Sequence, residues 1–370
     1  MNDNIKNYLI SEYIYIPYDS SLEIKFKEKD YVHMGDILLE GNNKYIYSSV
    51  SGILLGLTTI NNMKYLVIEN DYKDKTSIRK GTKKYINKYT KEELYNMIKK
   101  YSIIDNFDIN SKVLVISGIS EYIDEISYSM LLKEYTIEIL DTIDALIEIM
   151  NIRKCFLALT TDDGELIDIM YNNIGTYPKI DLKLFSNNYY IGNKNILINK
   201  LTNYKNKNYN IEYLSIKDIL NIYYILKKDN YPSETYITLS GDLIDNKDVI
   251  RVKKGTNIKD LLKHFKIENK DNIIINGLLN GVLLKNNDFI IDNDVRSVFI
   301  NTNVKYKEQK CINCGLCIEK CPVNINPKYM YHNKDNKALE YKKKCVNCGI
   351  CSYICPSKIN LNKGVKNDKK

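Results

Sequence analysis

Eight of the nine cysteines lie between Cys311 and Cys355, and their spacing is the chemistry of this chain. They write one pattern twice, C-x2-C-x2-C-x3-C-P. Cys311, Cys314, Cys317 and Cys321 precede Pro322, and Cys345, Cys348, Cys351 and Cys355 precede Pro356. In a run of this kind three thiolates hold one [4Fe-4S] cluster and the fourth holds the other. The spacing therefore predicts two [4Fe-4S] clusters with crossed ligand sets: Cys311, Cys314 and Cys317 with Cys355, and Cys345, Cys348 and Cys351 with Cys321. Two residues between thiols allow a tight loop around one face of a cube, and Gly315 and Gly349 can take the positive φ such a loop needs. Pro322 and Pro356 then turn the chain away. Lys310, Lys320 and Lys342 to Lys344 flank the ligands, either to offset cluster charge or as an ordinary solvated face. Zinc sites prefer two separated C-x2-C pairs, which this pattern does not match. Disulfides need an oxidising compartment, and nothing in the sequence directs export.

The elements that must position these thiols come before them. The chain has 370 residues, 44% hydrophobic and 27% charged, an ordinary globular composition with room for several domains. No apolar run approaches the roughly 18 residues that span a bilayer, so membrane contact is expected only through partners. The net charge of +8 is dispersed lysine beside many Asn, Ile and Tyr, with no clustered patch or module for nucleic acid. The Lys363 to Lys370 tail reads as a frayed end.

Residues 1–70 alternate in short segments between turn signals at Gly35-Asp36, Gly41-Asn42 and Ser51-Gly52, which predicts a small all-β module. His33, beside one of these turns, reads as inert. A charged stretch from Asp71 to Lys88 follows as linker or loop. Thr90-Lys-Glu-Glu93 is a capping box that opens a helix carrying Leu94, Met97, Ile98 and Tyr101. Strands at Val113–Ser117, Cys155–Leu159 and Ile180–Phe185 alternate with helices, one of them long with Leu132, Tyr135, Ile139, Ile143 and Leu146 on one face. Another helix starts at Ser215. This order predicts a parallel sheet over 89–230, with Cys155 a buried core thiol. Residues 232–302 give a few strands and one helix, Ile258 to Phe265, which suggests a β-grasp unit; His264 there reads as structural. The fold class is α+β multidomain, closing with a two-cluster ferredoxin domain over 305–362.

Taken together these pieces resemble the C subunit of Rnf/Rsx electron-transport complexes, over nearly the whole chain. The resemblance is carried by Cys345 to Leu361 with its Pro-Ser-Lys-Ile, by Val32 to Gly41 and Ser48 to Gly52, and by Ser240-Gly-Asp242, Lys254-Gly-Thr256 and Asn276 to Gly281. It implies an N-terminal barrel-sandwich domain, a middle domain like the NADH- and FMN-binding subunit of respiratory complex I, and an SLBB-like β-grasp domain. It also implies an iron-sulfur electron-transfer subunit peripheral on the cytoplasmic face of the inner membrane. Its partners would be integral-membrane and flavoprotein subunits and a ferredoxin or other redox protein, coupling electron flow between NADH and ferredoxin to ion translocation. The alternative is a soluble carrier or adapter without a catalytic site, similar to the cobalamin-reductase proteins.

FMN and NADH are expected from that family, but the residues depart from its pattern. Where the family has a glycine-rich flavin loop this chain has Tyr101 to Asn110, with no glycine and with Asp105 and Asp108. Only Ser117-Gly118 and Tyr190-Ile-Gly192 remain nearby, so the residues predict weak or no binding of either, unless a loop around Gly118 or Gly192 supplies the phosphate site.

Overall fold

Val113–Ser117 is buried at all five positions, because this apolar run is covered on both faces. In the computed structural model, which describes residues 5–77, 84–186, 188–202, 210–244, 246–267, 272–301 and 307–362, it is a central strand of a four-stranded parallel sheet. The strand order is Ile180–Phe185, Lys154–Thr160, Val113–Ser117, Ile211–Ser215, all parallel. The order reverses between the last two strands, which is where such sheets open a crevice at their carboxyl ends. Glu212 and Tyr213 interrupt the apolar character of this last strand, which hides it from periodicity.

Helices cover the sheet. Lys91–Tyr101 starts at the capping box: the Glu93 N–H donates to Thr90 Oγ1 at 3.2 Å and the Thr90 N–H to the Glu93 carboxylate at 2.7 Å. The expected long helix is instead two, Ser127–Glu134 and Thr136–Met150, broken where Tyr135 leaves helical geometry at φ −119, ψ 36. The Tyr135 ring meets Tyr236 of another sheet edge-on at 6.4 Å, and this tertiary contact accompanies the break in an otherwise periodic run. Cys155 sits in the core, where burial pushes its thiol up to about 12.

Around this lies mixed α/β structure with several further sheets. Two antiparallel sheets fill residues 13–70 around Ile14, Val32, Leu38, Leu54 and Ile68. A six-stranded sheet is built mainly from residues 234–301, with the helix Ile258–His264 on it. It is joined at its edge by Lys6–Tyr8, which runs parallel to Asp248–Lys253. The Tyr47 ring stacks on Tyr231 at 4.9 Å, and Ser49 Oγ donates to the Lys254 carbonyl at 2.5 Å, tying the first module to the later ones. No helix among the described residues is long and apolar enough to cross a membrane. The Lys363 to Lys370 tail, the start of the ferredoxin segment at 305–306 and residues 78–83 of the linker lie outside the described residues.

Candidate metal centres

The two cysteine repeats fold alike. Each places an Asn and a Gly in the left-handed region, Asn313 and Gly315 at φ 58 and 79, Asn347 and Gly349 at φ 54 and 81. A short helix follows each glycine, Leu316–Glu319 and Ile350–Tyr353. The two repeats are then clasped together end to start. The Gln309 N–H donates to the Ser357 carbonyl at 2.9 Å, and Ser357 Oγ donates to the Lys310 carbonyl at 2.9 Å. This clasp carries Cys355, at the end of the second repeat, beside Cys311, at the start of the first.

The thiols consequently line two separate cavities. One, of about 180 Å³, is lined by Cys311, Cys314, Cys317 and Cys355. The other, of about 20 Å³, is lined by Cys321, Cys345, Cys348 and Cys351. Each cavity thus has four thiols, three from one repeat and one from the other. Among the described residues no three His, Cys, Asp or Glu side chains converge as ligands of a single ion.

The two cradles differ in exposure. Cys311 and Cys314 are exposed, whereas the four thiols of the second cradle are half-buried. Burial, their largest influence, pushes the Cys345, Cys348 and Cys351 thiols up, Cys351 to about 12. Ile325 and Met330 pack beside Cys321 and Cys345, and Val323 and Val346 pack on the Ile119, Ile191 and Ile196 cluster beside the parallel sheet. Tyr189 Oη donates to the Cys348 carbonyl at 2.8 Å, and Asn280 Nδ2 to the Asn347 carbonyl at 3.1 Å. The Asn347 N–H points at Cys345 Sγ, 3.4 Å away, a contact of the kind that tunes cluster potentials. The second cradle is therefore set into the body of the protein, and the first faces outward. The supporting residues Tyr189 and Asn280 carry no signal in the sequence, because their partners lie far along the chain.

Of the flanking lysines, Lys310, Lys320, Lys343 and Lys344 are exposed and Lys342 is half-buried. Lys320 pairs with Glu319 at 2.7 Å and Lys344 with Glu340 at 2.6 Å, exposed pairs worth little in stability. Lys328 reaches Asn313 in the first loop.

Fold and sites define a mixed α/β protein that ends in a ferredoxin-type domain, and the family of 4Fe-4S dicluster domains matches residues 291–359. The chain is further related to the C subunits of ion-translocating oxidoreductase complexes. It is 26% identical to that of Buchnera aphidicola subsp. Baizongia pistaciae, covering 86% of this chain and 72% of the relative. It is 24% identical to that of Buchnera aphidicola subsp. Acyrthosiphon pisum, covering 85% and 73%. The equivalent protein of Actinobacillus succinogenes matches at 23% over 56% of this chain and 32% of its own length. Among solved structures, a chain of the NAD+-reducing [NiFe]-hydrogenase in the air-oxidized state is similar in part. The TM-score is 0.44, with 11% identity, over 76% of this chain and 51% of that one.

Proposed function

We propose that the chain is the iron-sulfur electron-transfer subunit of an Rnf-like ion-translocating oxidoreductase complex. The observation that carries the reading is the sorting of eight thiols into two fours, each mixing both repeats. Thiolates ringing a cavity suit a cube of iron and sulfide, whereas a single zinc needs its sulfurs about 2.3 Å from one point. Cys311, Cys314, Cys317 and Cys355 would hold the outer cluster, and Cys345, Cys348, Cys351 and Cys321 the inner one. The clusters supply one-electron storage when bound; the chain's own residues hold, space and partly shield them.

The domains assigned to this reading are a barrel-sandwich module over 1–70, an α/β domain over 89–230, an SLBB-like β-grasp over 232–302 and the dicluster domain over 305–362. The strand Lys6–Tyr8, paired with Asp248–Lys253, makes the first and third of these share a sheet. Partners would be integral-membrane and flavoprotein subunits together with a ferredoxin-like protein, and the chain would sit peripherally on the cytoplasmic face of the membrane.

Anaerobic reconstitution with iron and sulfide tests the core of the proposal. Eight irons and eight sulfides per chain are expected for two such clusters. Cys321→Ser and Cys351→Ser should perturb the same electron paramagnetic resonance signal, and Cys355→Ser and Cys314→Ser the other. If Cys321→Ser instead altered the signal sensitive to Cys314→Ser, the crossed assignment would be wrong.

A further inference from the structure

We infer that this chain carries neither FMN nor NADH, and that its clusters exchange electrons one at a time with another reduced or oxidised redox protein. A flavin phosphate or a pyrophosphate at a parallel sheet needs backbone N–H groups left open at the strands' carboxyl ends and at the helix starts beyond them. Here the chain's own side chains and carbonyls take many of those donors.

After Val113–Ser117, the Gly118 N–H donates to the Ala158 carbonyl at 2.9 Å and the Ile119 N–H to Ser117 Oγ at 3.3 Å. After Lys154–Thr160, the Thr161 N–H donates to the Phe185 carbonyl, and Asp163 caps the next helix by accepting from the Leu166 N–H at 3.1 Å. After Ile211–Ser215, the helix Ile216–Lys228 is closed by a capping box in which the Asp218 N–H donates to Ser215 Oγ. Asp163 and Asp218 thus place a carboxylate where a phosphate would have to sit, which consumes the donor and repels the ligand.

The two glycines that could have supplied a close approach serve packing instead. A Cβ at Gly118 would stand 2.4 Å from the Leu159 side chain, and one at Gly192 would stand 2.1 Å from the Ser120 carbonyl oxygen. Their open sides are filled by this chain. Nearby, the Arg296 guanidinium bridges to Glu121 at 3.0 Å and lies 5.9 Å from the Tyr122 ring centre and 5.7 Å from that of Tyr128. Lys217 donates to the Asn293 carbonyl at 2.5 Å. Arg296 and Lys217 are therefore engaged internally.

At the other end of the sheet, the loop in place of a glycine-rich one is also spent. Ile103 and Phe107 are buried, the Asp108 N–H donates to the Glu212 carboxyl at 2.8 Å, and the Asn110 N–H to the Asp108 carboxylate at 3.0 Å.

The consequence is one of electron counting. NADH gives up a hydride, two electrons at once, and a [4Fe-4S] cluster takes one; a flavin is the usual group that splits the pair. Without it the inner cluster has no nucleotide source, and each electron must arrive from a reduced iron-sulfur or flavin protein that is itself oxidised by one electron.

The full chain, reconstituted anaerobically, tests this. FMN should be lost on gel filtration and its fluorescence should be unquenched by the protein. Dithionite should bleach the cluster absorbance, whereas NADH, with or without added FMN, should leave it unchanged. One FMN retained per chain, or bleaching by NADH, would overturn the inference. The FMN measurement reads out whether or not clusters assemble, so absence of clusters counts against the proposed function alone.

Discussion

Glu212 shows how a single side chain couples the sheet to its loop. Burial pushes its carboxyl up to about 7, against the downward pull of the Asp108 N–H. The folded state therefore holds the proton more tightly than the unfolded chain, whose value lies near the ordinary 4.5. The stabilising contribution is complete below that ordinary value and is lost as pH rises through about 7. Glu212→Gln keeps an oxygen to accept from Asp108 while removing the charge. We expect it to raise stability at pH 8 by about 1–3 kcal/mol and to make little difference at pH 5, read as urea midpoints under anaerobic conditions. An equal shift at both pH values would assign the effect to packing and not to ionisation. Among the cysteines, Cys317→Ser should remove a ligand of the outer cluster and leave the inner one reducible by dithionite, checked by iron content and low-temperature resonance spectra.

The two glycine loops, near copies in sequence and conformation, are not equivalent in their surroundings. Both glycines have positive φ, so an added side chain costs roughly 1–2 kcal/mol at either. At Gly315 a Cβ meets nothing within 4 Å, whereas at Gly349 it would stand 2.4 Å from the Leu279 carbonyl oxygen. Gly349→Ala should therefore displace the second cradle from the Gly277 to Gly281 turn and lower inner-cluster occupancy, while Gly315→Ala retains both clusters. Equal loss of iron from the two variants would show that the turn gives no support. This contrast also marks what the sequence could reveal. The thiol spacing and the Thr90 and Ser215 helix starts were legible, because each depends on residues a few positions apart. The walls of the inner cradle were not: Tyr189 and Asn280 meet it from 159 and 67 residues away. The break at Tyr135 and the edge strand Ile211–Ser215 escaped for the same reason, since contacts from another sheet and pairing with Val113–Ser117 overrule local periodicity.

For the whole molecule, the two cradles differ in what surrounds them. The inner one is walled by the parallel-sheet part and by the turn after Asn272–Ile275 in the six-stranded sheet, and the outer one opens where Ile312 is 66% and Ile318 42% exposed. Over residues 307–362 ten lysines stand against four acidic residues, so this end of the protein is basic before any cluster charge is added. Lys342, Lys343 and Lys344 close the last turn of the helix that leads into Cys345. These three lysines adjoin the inner cradle, where Cys345 lies, and a basic surface on a redox domain selects for an acidic partner chiefly through the rate of encounter, since charges outside the contact steer more than they bind. Replacing Lys342, Lys343 and Lys344 together with Glu should slow reduction of the clusters by an acidic ferredoxin about tenfold at low salt. Dithionite reduction, which needs no protein docking, should be unaffected. The difference from the unaltered chain should fade as ionic strength approaches about 1 M, where the screening length falls to about 3 Å. Stopped-flow absorbance across a salt series reads all of this. A variant rate equal to that of the unaltered chain at low salt would mean that the partner approaches by another face.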